Sequence, residues 1–404
     1  MKRPLRIAFL KPDHGVNGGL EAVVAQLERV ARQDGHDVSR LSVDMRPTHA
    51  RVADLDIPRH VWDNSPEYFS YLAAWDRFEL LDTRRFDVVV STQPPSFAVN
   101  HPRHLALFYH HHRVYYDLAD TYLEAGYVSD ALVHAEATAL IRELDQPALE
   151  DVGWFLAGSQ TVADRLKHFN DRDNVSVFHA GLIVGRELPA QPPKPNPTKP
   201  SVLTVARHEF PKRAELVVAA AHLLNDTTVS VVGKGGREGW LRHLDNQFAR
   251  AQLDPATVDP RSLWCTTGRD LPSSVGVLAK PSSKVELCGR LSDDELTQRY
   301  SEATCVVAPA FDEDYGLTAI EAMAMAKPVI VCNDGGGLRE LVDHEVTGLV
   351  VEPTPSAIAE AIERLTADRD LAAELGANGL IKANELTWDR AADEWRLGLE
   401  QVLA

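Results

Sequence analysis

The densest run of side chains able to do chemistry is Phe311-Asp312-Glu313-Asp314-Tyr315-Gly316-Leu317-Thr318-Ala319-Ile320-Glu321-Ala322-Met323-Ala324, which reads as an acidic turn, a glycine and the start of a helix. Glu313 would lie in the turn and Glu321 about one turn into the helix, while the backbone N–H groups of Gly316, Leu317 and Thr318 form the helix's positive end. One carboxylate would accept hydrogen bonds from a ribose diol, the other from sugar hydroxyls, with phosphate resting at the helix terminus. The plain alternative is a solvated acidic turn followed by a helix-surface charge.

A second cluster, Arg207 and Lys212, follows a short apolar run at 201–206. Two cations at a strand's C-terminal end suit a diphosphate, Arg as a planar fork and Lys as a point charge, although an ordinary charged loop has the same appearance. A third is Tyr109-His110-His111-His112-Arg113. Successive residues of an extended chain face opposite sides, so three neighbouring histidines cannot share one metal ion, but one or two rings could reach a cleft. A ring so placed would donate a hydrogen bond to a substrate oxygen or move a proton near neutral pH; a solvated or packed histidine run is the alternative. The loops His14-Gly15-Val16-Asn17-Gly18-Gly19 and Gly233-Lys234-Gly235 would let a ligand approach backbone N–H groups, or serve only as tight turns, because neither has full GxGxxG spacing.

Strands followed by helices must position these groups. Apolar runs at 5–10, 88–90 and 105–108 read as strands, and 20–31 as an amphipathic helix with Leu20, Val23, Val24, Leu27, Val30 and Ala31 on one face. Further strands are expected at 201–206, 229–233, 285–289, 305–308, 329–332 and 349–351, apolar enough to be buried on both faces of a parallel sheet. Ser292 and Glu295 form a capping-box pattern opening a helix at 293–303. Helical spacing recurs near 357–365 and from about 388 to 403, where Trp388, Ala391, Ala392, Trp395, Leu399 and Val402 share a stripe. Residues 189–200 contain six prolines, a composition that favours an extended connector. The division expected is therefore α/β: a domain at 1–182, a linker at 183–200, a doubly wound domain at 201–385 and a last helix at 386–404. An irregular excursion is expected at 254–284.

The chain has 404 residues, too many for one core, and 42 Lys plus Arg against 59 Asp plus Glu give a net charge of −17. Such a body repels nucleic acid and anionic lipid unless basic residues gather in one patch. No run approaches the roughly 18–20 apolar residues of a membrane span. Four cysteines without CxxC spacing suggest neither a zinc knuckle nor a disulfide framework, so a cytoplasmic protein with reduced thiols is expected.

In combination these motifs resemble the retaining glycosyltransferases of family 4, the group 1 glycosyl transferases. The similarity is strongest from Ser201 to Pro353, where Val205-Ala206-Arg207 to Lys212, Gly233-Lys234-Gly235, Cys288-Gly289-Arg290-Leu291-Ser292, Glu313 with Glu321, Lys327-Pro328-Val329-Ile330 and Glu345-Val346-Thr347-Gly348-Leu349 follow the family order. The first domain matches more loosely, through Gly18-Gly19, the histidine run and Phe178-His179-Ala180-Gly181. The resemblance implies the GT-B architecture, two Rossmann-like doubly wound domains facing a central cleft, with the last helix crossing back to the first, acceptor-side domain. It implies that Arg207 and Lys212 hold the donor diphosphate, Glu321 the ribose and Glu313 the transferred sugar. Gly316, Leu317 and Thr318 would meet phosphate through their backbone, with Gly233 in the same donor site. Gly289 and Arg290 would border the nucleobase, and Gly18 and Gly19 would approach the donor phosphates from the other domain. The active-site histidine would be one of His110, His111 and His112, with His111 favoured.

The activity so implied is transfer of a sugar, of hexosyltransferase type, from a nucleoside diphosphate sugar to an acceptor hydroxyl or amine with retention at the anomeric carbon. The acceptor expected is a small molecule or carbohydrate. Fixed cations and a helix dipole neutralise the leaving diphosphate, so no cofactor and no metal is expected. The rival readings are a nucleotide-sugar epimerase of the same fold and a noncatalytic nucleotide-sugar-binding partner protein. A Rossmann dehydrogenase fits worse, for want of GxGxxG after the first strand.

Overall fold

The computed structural model describes residues 3–13, 15, 18–45, 50–128, 130–182, 200–268 and 283–404. Of the expected linker only Pro200 is among them, and His14, Val16 and Asn17 of the first Gly-rich loop and 269–282 of the expected excursion also lie outside the described residues. The chain divides into two compact units: Met1–Leu123 with Val128–Ile183 and Thr387–Ala404, and Glu124–Tyr127 with Val184–Leu386.

Unit 1 is built on six parallel strands, β1 (Arg6–Asp13), β2 (Asp37–Asp44), β3 (Val88–Ser91), β4 (His104–Phe108), β5 (Trp154–Ala157) and β6 (Val175–Val177), in the order β2-β1-β3-β4-β5-β6. Ile7 to Leu10 are fully buried because helices cover both faces of a parallel sheet. The polar β2 had no apolar signature in the sequence; it sits at the sheet edge, where only β1 holds it. Helix Gly19–Gln33 buries Val23, Val24, Leu27, Val30 and Ala31 of the stripe read from its spacing, and leaves its Leu20 half-buried.

The last helix, Trp388–Leu403, also belongs to unit 1 and buries Ala391, Ala392, Trp395, Gly398, Leu399 and Val402. Trp395 stacks on Phe9 of β1 with centroids 5.6 Å apart, and Arg396 grips Asp34 through two bonds of 2.9 and 2.8 Å. His179 donates its backbone N–H to Glu394 at 2.7 Å, and its Nδ1 lies 2.8 Å from the other carboxylate oxygen.

Unit 2 repeats the scheme with β7 (Ser201–Val205), β8 (Thr228–Val232), β9 (Val285–Gly289), β10 (Cys305–Ala308), β11 (Val329–Cys332) and β12 (Gly348–Val351), all parallel, in the order β9-β8-β7-β10-β11-β12. The hydrophobic helix Ala214–Ala221 is wholly buried. Ser292 and Glu295 form the expected capping box, at 3.3 Å and 2.8 Å, on helix Asp293–Glu302. Among the described residues of the stretch expected to be irregular lies a short helix, Pro260–Trp264, capped by Asp259. That helix breaks the expectation because two Asp259 side-chain bonds, not apolar periodicity, start it.

In an open parallel sheet, ligands bind beyond the carboxyl ends where the strand order reverses. In unit 2 that point lies between β7 and β10, the strands that precede Arg207 and Glu313; in unit 1 it lies between β1 and β3.

Candidate functional site

The loops beyond β7, β8, β9, β10 and β11 are knitted together by their backbones. Phe311 N donates to Pro211 O at 3.1 Å, His208 N to Lys234 O at 3.0 Å and Gly233 N to Gly289 O at 2.8 Å. Asp312 N and Glu313 N donate to Asp334 O and Gly335 O, and Gly337 N returns to Glu313 O at 2.7 Å. Arg207, Lys212, Gly233, Gly289, Arg290 and Glu313 are thereby gathered at one edge of the sheet.

Gly233 and Gly316 are required by this packing. A Cβ on Gly233 would stand 1.8 Å from Ala206 O, and Gly316 has φ 110°, with a Cβ there meeting Leu338 Cδ2 at 2.6 Å. Gly316 turns the chain into helix Leu317–Ala324, which no side chain caps. The first N–H groups of a helix lack partners within it, so this end presents donors and a positive dipole. Thr318 Oγ1 donates to Val205 O at 3.2 Å and fixes the helix start against the end of β7.

Two kinds of cation stand here. Lys212, half-buried, makes an ion pair with half-buried Glu313, joining the two clusters that the sequence had offered separately. Arg207 and Arg290 are exposed, and their side chains make no hydrogen bond among the described residues. Glu321 accepts a 2.8 Å bond from Tyr300 Oη.

The sequence reading missed Arg213. Its side chain is 1% exposed, its guanidinium forks onto Asp334 at 2.8 and 2.6 Å, and it also donates to the carbonyls of Pro309 at 2.6 Å and Ala310 at 3.2 Å. It ties the loop bearing Lys212 to the loop bearing Glu313. Beside Lys212 it looked like another surface cation, and nothing in its local spacing distinguishes it.

In unit 1, Gly18 N donates to Glu21 Oε2 at 2.8 Å and Gly19 begins the first helix. The histidine run is largely packed inward. His111, expected to face the sugar, is 1% exposed, stacks on Tyr116 at 4.2 Å and lies 2.7 Å from Asn170 Oδ1 through Nε2. Asn170 spends its own amide donor on Gln146 at 2.8 Å, so the imidazole Nε2–H is the donor in this contact. Burial pushes the His111 pKa down to about 3, and the ring is neutral. His112 stacks on Tyr71 at 4.6 Å and lies 3.0 Å from Glu67. His110 is half-buried; its Nδ1 donates to His111 O at 2.7 Å, a bond that leaves Nε2 as the basic nitrogen.

Both supporting tyrosines converge on one carboxyl. Tyr71 Oη lies 2.9 Å from each oxygen of Asp145, and Tyr116 Oη 3.0 Å from Oδ2. Asp145 is fully buried, and desolvation raises its pKa to about 7 although the tyrosine hydrogen bonds pull the other way.

Among the described residues no cluster of His, Cys, Asp and Glu has the arrangement to hold a metal ion, and no helix is long and apolar enough to cross a membrane.

Comparison with known proteins places the chain. Residues 17–186 match Glycosyltransferase Family 4 and residues 279–381 match Glycosyl transferases group 1, together more than half of the chain. The chain belongs to the family 4, group 1 glycosyltransferases. It is 26% identical over 265 residues to a D-inositol 3-phosphate glycosyltransferase of Salinispora tropica, covering 62% of this chain and about half, 51%, of that relative's length. Its fold is that of the sucrose-phosphate synthase of Thermosynechococcus elongatus, with a TM-score of 0.68 at 20% identity over 99% of both chains. It is also that of Anabaena HepE, solved in complex with UDP and glucose, with a TM-score of 0.62 at 15% identity over 98% and 99% of the chains. The architecture is GT-B.

Proposed function

We propose that this chain moves a hexosyl group from a nucleoside diphosphate sugar to a hydroxyl or amine of a small molecule or carbohydrate, retaining the anomeric configuration and requiring no divalent metal. The observation that carries the proposal is the joining of Lys212 and Glu313 at the switch point of unit 2, beside exposed Arg207 and an uncapped helix start. The UDP and glucose held by the Anabaena protein of like fold support a nucleotide sugar as donor.

Arg207 and Lys212 would receive the diphosphate with the N–H groups of Gly316, Leu317 and Thr318, a fixed positive field aimed at the charge that develops as the glycosidic bond to phosphate breaks. Lys212 exchanges its bond to Glu313 for one to phosphate, and Glu313 is released toward the sugar hydroxyls. Glu321 holds the ribose, and Gly233, Gly289 and Arg290 border the nucleotide. Of the histidines, His110 is assigned to the substrate, because His111 is enclosed by Tyr116 and Asn170. Gly18 and Gly19 complete the assignment on the phosphate side. The acceptor attacks the face from which the diphosphate departs, and the leaving phosphate takes its proton.

A thermal-shift panel of UDP, GDP, ADP and TDP sugars tests the donor. A ligand at 100 times its dissociation constant adds about 2.7 kcal/mol, a rise in Tm that is easily read. The selected donor, offered a panel of small polyols and sugars, should give a product with the donor's anomeric configuration. Failure of every donor to raise Tm would overturn the proposal, and donor epimerisation without acceptor would replace it with the epimerase reading.

A further inference from the structure

Helix Asp293–Glu302 ends in a turn that is anchored from below. Lys327, 1% exposed, donates from Nζ to Ser301 O at 2.8 Å. The neighbouring Tyr300, also 1% exposed, extends its hydroxyl to Glu321 Oε2 at 2.8 Å. A phenol has two side-chain torsions and, once its ring is enclosed, points its hydroxyl in one direction. A glutamate has three, and loses more rotamer freedom on being fixed. The rigid partner therefore orients the flexible one.

We infer that Tyr300 is a positioning residue for donor recognition: it presets the carboxylate of Glu321 for the ribose diol of the nucleotide, an inference that rests on the assignment of Glu321 to the ribose. Glu321 stands four residues beyond Leu317 on the helix whose start faces the diphosphate position, so a ribose linked to that diphosphate falls on the same helix. Setting the carboxylate's rotation before the nucleotide arrives removes an ordering cost from binding. Tyr300 touches no substrate atom; its effect is conveyed entirely by Glu321.

The test is calorimetric titration of UDP, GDP and ADP, each beside its 2′,3′-dideoxy counterpart, into the full chain and into Tyr300→Phe, which keeps the ring and its packing. The wild type should bind at least one ribonucleotide more tightly than its dideoxy form. Tyr300→Phe should weaken that ribonucleotide about tenfold, the worth of a hydrogen bond to a charged group, and leave the dideoxy form unchanged. Adding Tyr300→Phe to Glu321→Gln should cost little further, since both act on one contact. Equal weakening of both forms, or an undiminished preference for ribose, would overturn the inference while leaving the assignment of Glu321 intact. A wild type indifferent to the ribose hydroxyls would overturn that assignment, and the inference with it.

Discussion

In unit 2 polar side chains pair between elements, Lys212 with Glu313 and Arg213 with Asp334 across loops and Tyr300 with Glu321 across helices, whereas in unit 1 His111 and His112, beyond β4, lie back on tyrosines that converge on Asp145. Lys212, Glu313 and the histidines each follow the carboxyl end of a parallel strand. The difference is in burial: Lys212, Glu313 and Glu321 keep part of their surface, while His111 and Asp145 keep almost none. Proximity to a strand end marks where chemistry is possible, and access decides which residues are available for it. Lys212 can exchange an internal carboxylate for an incoming phosphate; His111 can exchange Asn170 for nothing without opening its aromatic enclosure.

Substitutions on the two sides should separate accordingly. Lys212→Ala should lower kcat by roughly 10²–10³, about 3–4 kcal/mol, with an unfolding midpoint close to that of the wild type; full turnover in this variant would remove Lys212 from the diphosphate. Arg213→Ala should cost about 3 kcal/mol in urea unfolding, because the carbonyls of Pro309 and Ala310 and the carboxylate of Asp334 lose their donor together. A loss below about 0.5 kcal/mol would show that the loops hold one another without it.

Within unit 1, His111→Ala should destabilise by about 2 kcal/mol through a cavity beside Tyr116. His110→Ala should change stability by less than about 0.5 kcal/mol and lower transfer by roughly 10². The reverse pattern would return His111 to the active site.

A pH-dependent effect belongs to Asp145. Its folded pKa of about 7 lies above the ordinary 3.8, so the folded chain holds the proton that the unfolded chain releases. The stabilisation is complete below about pH 4 and is lost as pH rises through about 7. The Tm of the wild type, relative to Asp145→Asn, should therefore fall between about pH 4 and 7 and level off above; a constant difference would contradict the raised value. The smallest effect expected is that of EDTA, which should leave the transfer rate unchanged if Arg207, Lys212 and the helix start carry the diphosphate charge.

Most of unit 2's framework was legible because its strands are continuous apolar runs, such as 305–308 and 329–332, separated by helices. The polar edge strand Asp37–Asp44 was not, since backbone pairing with β1 overrides its composition. Among site residues, glycines and charges in short loops could be picked out by type and spacing. Arg213, Tyr300 and Asp145 could not: each acts through a partner 21 to 121 positions away, as with Glu321, Asp334 and Tyr71, and sequence spacing does not report such contacts. The histidine run shows the limit most sharply. Alternation told that neighbouring rings face opposite ways, but which one turns inward was decided by Asn170 and Tyr116.

The most direct test is a crystal structure of the chain with the nucleoside diphosphate chosen by the thermal-shift panel. The pyrophosphate should lie within hydrogen-bond reach of the Arg207 guanidinium, Lys212 Nζ and the N–H groups that open helix Leu317–Ala324, with Lys212 parted from Glu313. A pyrophosphate bound away from both cations, with the Lys212–Glu313 pair still closed, would contradict the account.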